Sequence, residues 1–282
     1  MGLLTVRDGI VVQSIGFRRY LPVGRPDIAV EFLSQWGIDE IVLNDLSATR
    51  AGRSPDFDMV RKASERCRVP LTVGGGITSL ADIHELMHCG ADKVALNHIL
   101  LRNTRLATEA ARIFGNQCVV ASIDACLTDK GHRVYDHIER RVLDATPQDH
   151  ARRLEEAGAG EVLLNSVDRD GMKSGYDIPL IKATTGVISL PLIACGGAGG
   201  PAHMRQVFEE TQASGVAAGN WFHFQEHSVT VAKALCSLKH PVRHETHATY
   251  LDNPLDAMGR LTKKSDQALE DLLYLRIEKE EI

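Results

Sequence analysis

Short runs of apolar and β-branched residues alternate along the chain with longer stretches in which apolar positions recur every three or four residues. The runs predict strands near 2–6, 39–45, 69–74, 92–97, 117–124, 161–166, 190–195 and 214–219. The periodic stretches predict helices near 26–36, 57–67, 80–89, 101–114, 147–157, 178–185, 201–211 and 227–238. Several runs, such as Gln117-Cys-Val-Val-Ala-Ser-Ile123, are almost continuously apolar, as parallel strands covered on both faces are. Eight strand–helix units in alternation predict an α/β fold, the (β/α)8 TIM barrel, with a doubly wound open sheet as the alternative.

An internal repeat favours closure. Pro70-Leu-Thr-Val-Gly-Gly-Gly76 and Pro191-Leu-Ile-Ala-Cys-Gly-Gly197 both end an apolar run in glycines. Their offset of 121 residues, from Pro70 to Pro191, also carries Glu40-Ile-Val-Leu-Asn44 onto Glu161-Val-Leu-Leu-Asn165. The barrel is therefore expected to be a half-barrel used twice. Glycines at strand ends let backbone N–H groups approach an anion, and a following helix N-terminus adds a favourable dipole. Gly76 with Asn97, and Gly197 with Asn220, are thus candidate phosphate sites. Asp168-Arg-Asp-Gly-Met-Lys-Ser-Gly175 follows the sixth strand on the same rim, so Gly171 is a candidate for the second anion and Asp170 for orienting that loop. Two such sites imply a long substrate with a phosphate at each end.

Two connectors, 7–25 and 125–146, are longer than a barrel needs, and both follow strand ends on the side where barrels build active sites. The second contains Arg133-Val-Tyr-Asp136 and Arg140-Arg-Val-Leu143, which read as a small hairpin. Asp124 ends the predicted fifth strand and faces that connector, a place suited to general acid/base work. At the opposite end, Glu40, Lys93 and Glu161 stand at the starts of strands 2, 4 and 6. Alternate strands share a layer in such barrels, so these three are expected to form a ring of paired charges, against the plainer alternative of solvated residues. Residues 1–244 are read as the barrel, and 245–282 as a partly helical C-terminal extension.

Bulk properties narrow the class. The 282 residues, 44% hydrophobic, suffice for one large domain, and a net charge of −5 without basic runs argues against a nucleic-acid surface. Six cysteines without a C-x-x-C pair read as reduced thiols of a cytoplasmic protein. Leu3-Leu-Thr-Val6 enters a strand at once, which predicts no signal peptide, and no apolar run reaches membrane-spanning length. The histidines show no metal spacing, and no cofactor is expected.

These residues resemble the HisF family, the cyclase subunit of imidazole glycerol phosphate synthase, from about Leu3 to Arg243. The strongest segments are Thr72-Val-Gly-Gly-Gly-Ile77, Gly90-Ala-Asp-Lys-Val94, Gly158-Ala-Gly-Glu-Val162, Asp168-Arg-Asp-Gly171 with Ser174-Gly-Tyr-Asp177, Gly196-Gly-Ala-Gly199 and Phe222-His-Phe224. The resemblance implies a lyase/cyclase of the glutamine amidotransferase type. A glutaminase subunit docks on the barrel floor as a heterodimer, and its ammonia crosses the barrel to a bis-phosphate substrate. It also implies that Glu40, Lys93 and Glu161 gate the ammonia, that Asp92 communicates with the partner, and that Asp124 is one of two catalytic aspartates. The other falls on Thr5, a degenerate position, and a loop-1 lysine of the family falls on Gln13. His98 and Asn220 also depart from the pattern. These departures keep open a diverged paralogue amidating a nucleotide-linked sugar for surface polysaccharide, or a non-catalytic partner-binding scaffold.

Overall fold

In chain order the barrel strands are Gly2–Arg7, Ile41–Asp45, Leu71–Gly74, Lys93–Leu96, Val119–Thr128, Glu161–Ser166, Leu192–Cys195 and Gly215–Val216, first to eighth below. The computed structural model describes residues 1–225 and 227–243, with Thr262, Ser265 and Gln267. The expected extension over 245–282 lies outside the described residues apart from those three positions. Each strand pairs in parallel with the next. The ring closes where Ala218 bridges Gly2, with Leu3 N–H donating to the Ala218 carbonyl at 2.9 Å. The fold is the expected (β/α)8 barrel.

Helices follow the strands where the apolar periodicity places them, and local chemistry sets their starts. Ser79 and Asp82 form a reciprocal cap: the Ser79 hydroxyl accepts from Asp82 N–H, while the Asp82 carboxylate accepts from Ser79 N–H. Thr146 caps Pro147–Glu156, with Pro147 entering where no N–H is needed. The predicted helix over 101–114 is instead two, His98–Arg102 and Arg105–Phe114.

The long connectors are ordered. Residues 7–25 hold an antiparallel pair, Ile10–Ile15 and Arg19–Gly24, which extends the first strand. The predicted hairpin in 125–146 is present as Gly131–Asp136 with Arg141–Val142. The fifth strand starts later than expected, after a 3-10 turn over Asn116–Cys118, and continues to Thr128 to pair with that hairpin. Asp124 therefore sits within the strand rather than at its end.

Side chains alternate faces along each strand. Outward residues such as Leu4, Leu43, Val73, Leu96, Ile123 and Leu164 join the main core under the helices. A second, smaller apolar cluster fills the middle of the barrel: Val42, Ala95, Val120, Leu163, Ile193, Cys195 and Ala217. Burial pushes the Cys195 thiol up to about 12, so it remains a neutral packing group.

Candidate functional site

The period of two assigns the interior of the barrel layer by layer. Strands two, four and six contribute Glu40, Lys93 and Glu161 at one mouth. Two residues on, they contribute Val42, Ala95 and Leu163. Two further, Asn44, Asn97 and Asn165 reach the other mouth. Charged floor, apolar middle and amide roof are thus written into three strands at one spacing.

At the floor, Lys93 Nζ donates to Glu161 Oε2 at 2.7 Å and to Glu40 Oε2 at 3.0 Å. The three side chains are 20%, 10% and 28% exposed, so the bridge lies across an opening rather than inside the core. Burial pulls the Lys93 ammonium down, but hydrogen bonds and charge from Glu161 and Glu40 outweigh it, and its pKa is raised. Asp92 is exposed beside the ring, yet its carboxylate also accepts from Leu71 N–H at 2.8 Å and steadies the start of the third strand. Above the ring, alternation turns Thr72 inward between the outward Leu71 and Val73. Its buried hydroxyl has no hydrogen-bond partner among the described residues.

At the roof a cleft of about 680 Å³ opens, lined among others by Thr5, Asn44, Asn97, Asp124, His137 and Asn165. Asp124 is its focus. Oδ2 accepts from Asn97 Nδ2 at 2.9 Å and lies 3.1 Å from His137 Nδ1, while Oδ1 faces Asn165 Nδ2 at 3.4 Å. Burial disfavours the His137 imidazolium, but the hydrogen bond and charge of Asp124, helped by Asp136, win, and the His137 pKa is raised. Asn97 also donates to Ser122 Oγ at 3.2 Å, so its amide is aimed at the carboxylate centre. Thr5 faces the same cleft.

The two glycine loops, alike in sequence, have different surroundings. Gly76, at φ +76°, donates its N–H to Thr49 Oγ1 at 2.9 Å. A Cβ there would lie 2.7 Å from the Ala48 Cβ and the Arg53 carbonyl. The first loop is thus packed under helix Leu46–Ala51, which Asp45 caps and Arg53 pins by an ion pair to Asp45 at 2.6 Å. The second loop stays open: Gly171, Gly197 and Asn220 line a smaller cleft of about 40 Å³ that shares Thr5 and Asp170 with the larger one. Gly197 has φ +100°, and a Cβ would meet the Gly175 carbonyl at 2.1 Å.

Asp170 and Asn220 converge on Ser14 of the first hairpin. Asp170 Oδ2 accepts from the Ser14 hydroxyl at 2.6 Å and from Phe17 N–H at 3.2 Å. Asn220 donates to the Ser14 carbonyl at 2.6 Å and accepts from its N–H at 3.2 Å. Burial raises the Asp170 pKa despite these bonds. These bonds fasten the Asp170 loop to a hairpin whose strands do not show in the periodicity. Sequence reasoning also passed over His137, which the predicted hairpin at 133–143 places in reach of Asp124, and Thr49, in a helix 46–51 too short to show a period, with Arg53 just beyond it.

The chain is a closed (β/α)8 barrel with a carboxylate–amide–imidazole cluster at the C-terminal mouth and a paired-charge ring at the other. The chain matches the family described as "Histidine biosynthesis protein" over residues 2–228. It is 40% identical over 258 residues to a Vibrio vulnificus (strain YJ016) protein provisionally named imidazole glycerol phosphate synthase subunit hisF2, covering 91% of this chain and 95% of that one. It is 40% identical over 231 residues to the imidazole glycerol phosphate synthase subunit HisF of Streptococcus sanguinis (strain SK36), covering 82% and 92%. Against the HisF subunit of Clostridium botulinum (strain Okra / Type B1) the identity is 40% over 232 residues, with the same coverage. The chain belongs to the histidine biosynthesis protein family, as a HisF-like member. No helix among the described residues is long and apolar enough to cross a membrane.

Proposed function

We propose that this chain is the ammonia-using cyclase subunit of a glutamine amidotransferase of the imidazole glycerol phosphate synthase type, acting in the cytoplasm. The observation that carries the reading is the pairing of Lys93 with Glu40 and Glu161 at one mouth of a barrel whose other mouth holds Asp124. Between them lies the packed apolar interior of the barrel, with a buried Thr72 hydroxyl that has no hydrogen-bond partner among the described residues; it suits neutral ammonia and is hostile to ammonium, whose charge would lose its hydration there. A glutaminase docked over Asp92 and the Lys93 ring supplies the ammonia.

In this reading the acceptor is N′-phosphoribulosyl formimino carboxamide nucleotide. One phosphate sits by Gly171, Gly197 and Asn220, and the other across the larger cleft on the side of Asn97. Asp124 carries protons during attack and ring closure, and cleavage yields imidazole glycerol phosphate and an aminoimidazole carboxamide nucleotide. The test is reconstitution with a HisH-type glutaminase, following both products with glutamine or ammonium as donor. Product from either donor supports the reading. Absence of product from both, with substrate at saturating concentration and the chain folded, overturns it.

A further inference from the structure

We propose that His137 is a catalytic acid of this site, acting with Asp124 as an imidazole–carboxylate dyad. The inference rests on the reaction assigned above and adds a residue to it. Two proton-handling groups are needed to turn a carbonyl and ammonia into an imine, and Thr5 cannot ionise near neutral pH. Other carboxylates in or beside the cleft are engaged elsewhere: Asp170 by Ser14 and Phe17, Asp136 by His98 and the backbone amides of Ile138 and Glu139, and Asp8, exposed at the rim, by the Ser47 hydroxyl and Arg7.

His137 is placed for the role by rigid parts. Its hairpin is held by His132 Nε2 to Asp177 Oδ2 at 3.1 Å and by Asp136 Oδ1 to His98 Nδ1 at 3.1 Å. The turn carrying His137 is closed by Asp136 Oδ1, which accepts from Ile138 N–H at 2.9 Å and Glu139 N–H at 3.1 Å. Asp124 takes Nδ1, which fixes the ring and leaves Nε2 without a hydrogen bond among the described residues, in a side chain that lines the large cleft. The logic is that of a carboxylate orienting an imidazole that moves the proton. The charged groups that bear on the ring are Asp124 from the fifth strand, Asp136 from its own hairpin and Arg50 from helix 46–51; the two acids dominate, and Asn97 and Asn165 are neutral.

The step balances. Ammonia nitrogen bonds to the carbonyl carbon, and the C=O π electrons move to oxygen, which takes the proton from His137 Nε2. The new ammonium centre loses a proton to Asp124, giving a carbinolamine. Asp124 then returns its proton to the hydroxyl, which leaves as water. The second nitrogen proton passes to His137, leaving the imine and both groups restored.

The test uses the full chain with ammonium chloride and N′-phosphoribulosyl formimino carboxamide nucleotide. H137Q is expected to lower kcat by about 10²–10⁴-fold with KM little changed, and to abolish the alkaline fall in kcat/KM that marks loss of the imidazolium. H137A is expected to regain part of its activity with free imidazole, which a merely structural histidine would not allow. Wild-type turnover that survives H137Q, or a loss that imidazole does not repair and that leaves the pH profile unmoved, overturns the proposal alone. No turnover by the wild-type chain overturns the reaction and this proposal together. Independently of any acceptor, nitrogen NMR should show His137 titrating above the ordinary histidine range in the wild type and lower in D124N; titration at or below that range in the wild type overturns the dyad.

Discussion

Replacing Lys93 by methionine tests the floor ring directly. Bonds of 2.7 and 3.0 Å to one ammonium keep the two glutamate oxygens within about 6 Å of each other. Two unpaired carboxylates at that distance repel by roughly 3 kcal/mol at an effective dielectric of about 20. Glu40 is 28% exposed and Glu161 only 10%, so solvent relieves part of this, chiefly through Glu40. K93M is therefore expected to lose about 2 kcal/mol of unfolding free energy at pH 8, less than the roughly 3–5 kcal/mol of a fully buried broken pair. Without the ammonium, one glutamate holds a proton more tightly in the folded state than in the unfolded chain. That carboxyl is destabilising when ionised, so the deficit is full at high pH and shrinks as pH falls and the proton binds. Urea unfolding at pH 8 and pH 5 measures both, and E40Q/K93M/E161Q should recover most of the loss. In reconstituted enzyme, K93M should depress glutamine-dependent turnover more than ammonium-dependent turnover, since free ammonia enters from the open cleft. A loss under about 0.5 kcal/mol at both pH values would refute the electrostatic argument, and equal loss with both donors would refute the gate.

Three further perturbations follow from the geometry. D124N should cut turnover by about 10²–10⁴-fold while the chain stays folded by circular dichroism; unchanged turnover removes Asp124 from the chemistry. His150 is buried beside Arg153, and burial with that neighbouring charge holds its pKa down to about 4. Below the ordinary histidine value the unfolded chain takes a proton that the folded chain refuses, so stability falls by about 3 kcal/mol between pH 6.5 and pH 4. H150L should flatten that part of the pH–stability curve, and an identical slope in both proteins would show that His150 is not its source. Gly197→Ala drives a methyl group toward the Gly175 carbonyl and should abolish the rise in thermal midpoint that added phosphate gives the wild type. A phosphate response that survives the change would take the second glycine loop out of the binding site.

The barrel was readable because its information is periodic. Strands such as Glu161–Ser166 are buried on both faces, and helices such as Leu80–His88 carry both an apolar stripe and their own cap signals. The ring at Glu40, Lys93 and Glu161 was readable for the same reason, since strand starts fix a layer. The roof was less so. Asp124 was found by its place near a strand end, but its partners come from three other segments, and none of those contacts leaves a local mark. The hairpin strands Ile10–Ile15 and Arg19–Gly24 hide because Arg19–Gly24 is almost wholly exposed and buries neither face. The glycine repeat predicted two like sites. Their surroundings differ because Thr49 and Arg53 pack on the first loop, a contact between segments that no repeat in the sequence encodes.

The three strands that carry the interior layers also act as stiff struts. From Lys93 to Asn97 the fourth strand rises four residues, about 13 Å at roughly 3.3 Å each, with its backbone bonded on both sides. A partner pressing on Lys93 from below has little slack to take up before Asn97 moves, and Asn97 holds the Asp124 carboxylate. Glu161 and Asn165 repeat the arrangement on the sixth strand, and Asn165 faces the other oxygen of the same carboxylate. On the proposed function, docking beneath the barrel and proton transfer above it would therefore be joined mechanically, through two parallel rods that grip one acid from both sides.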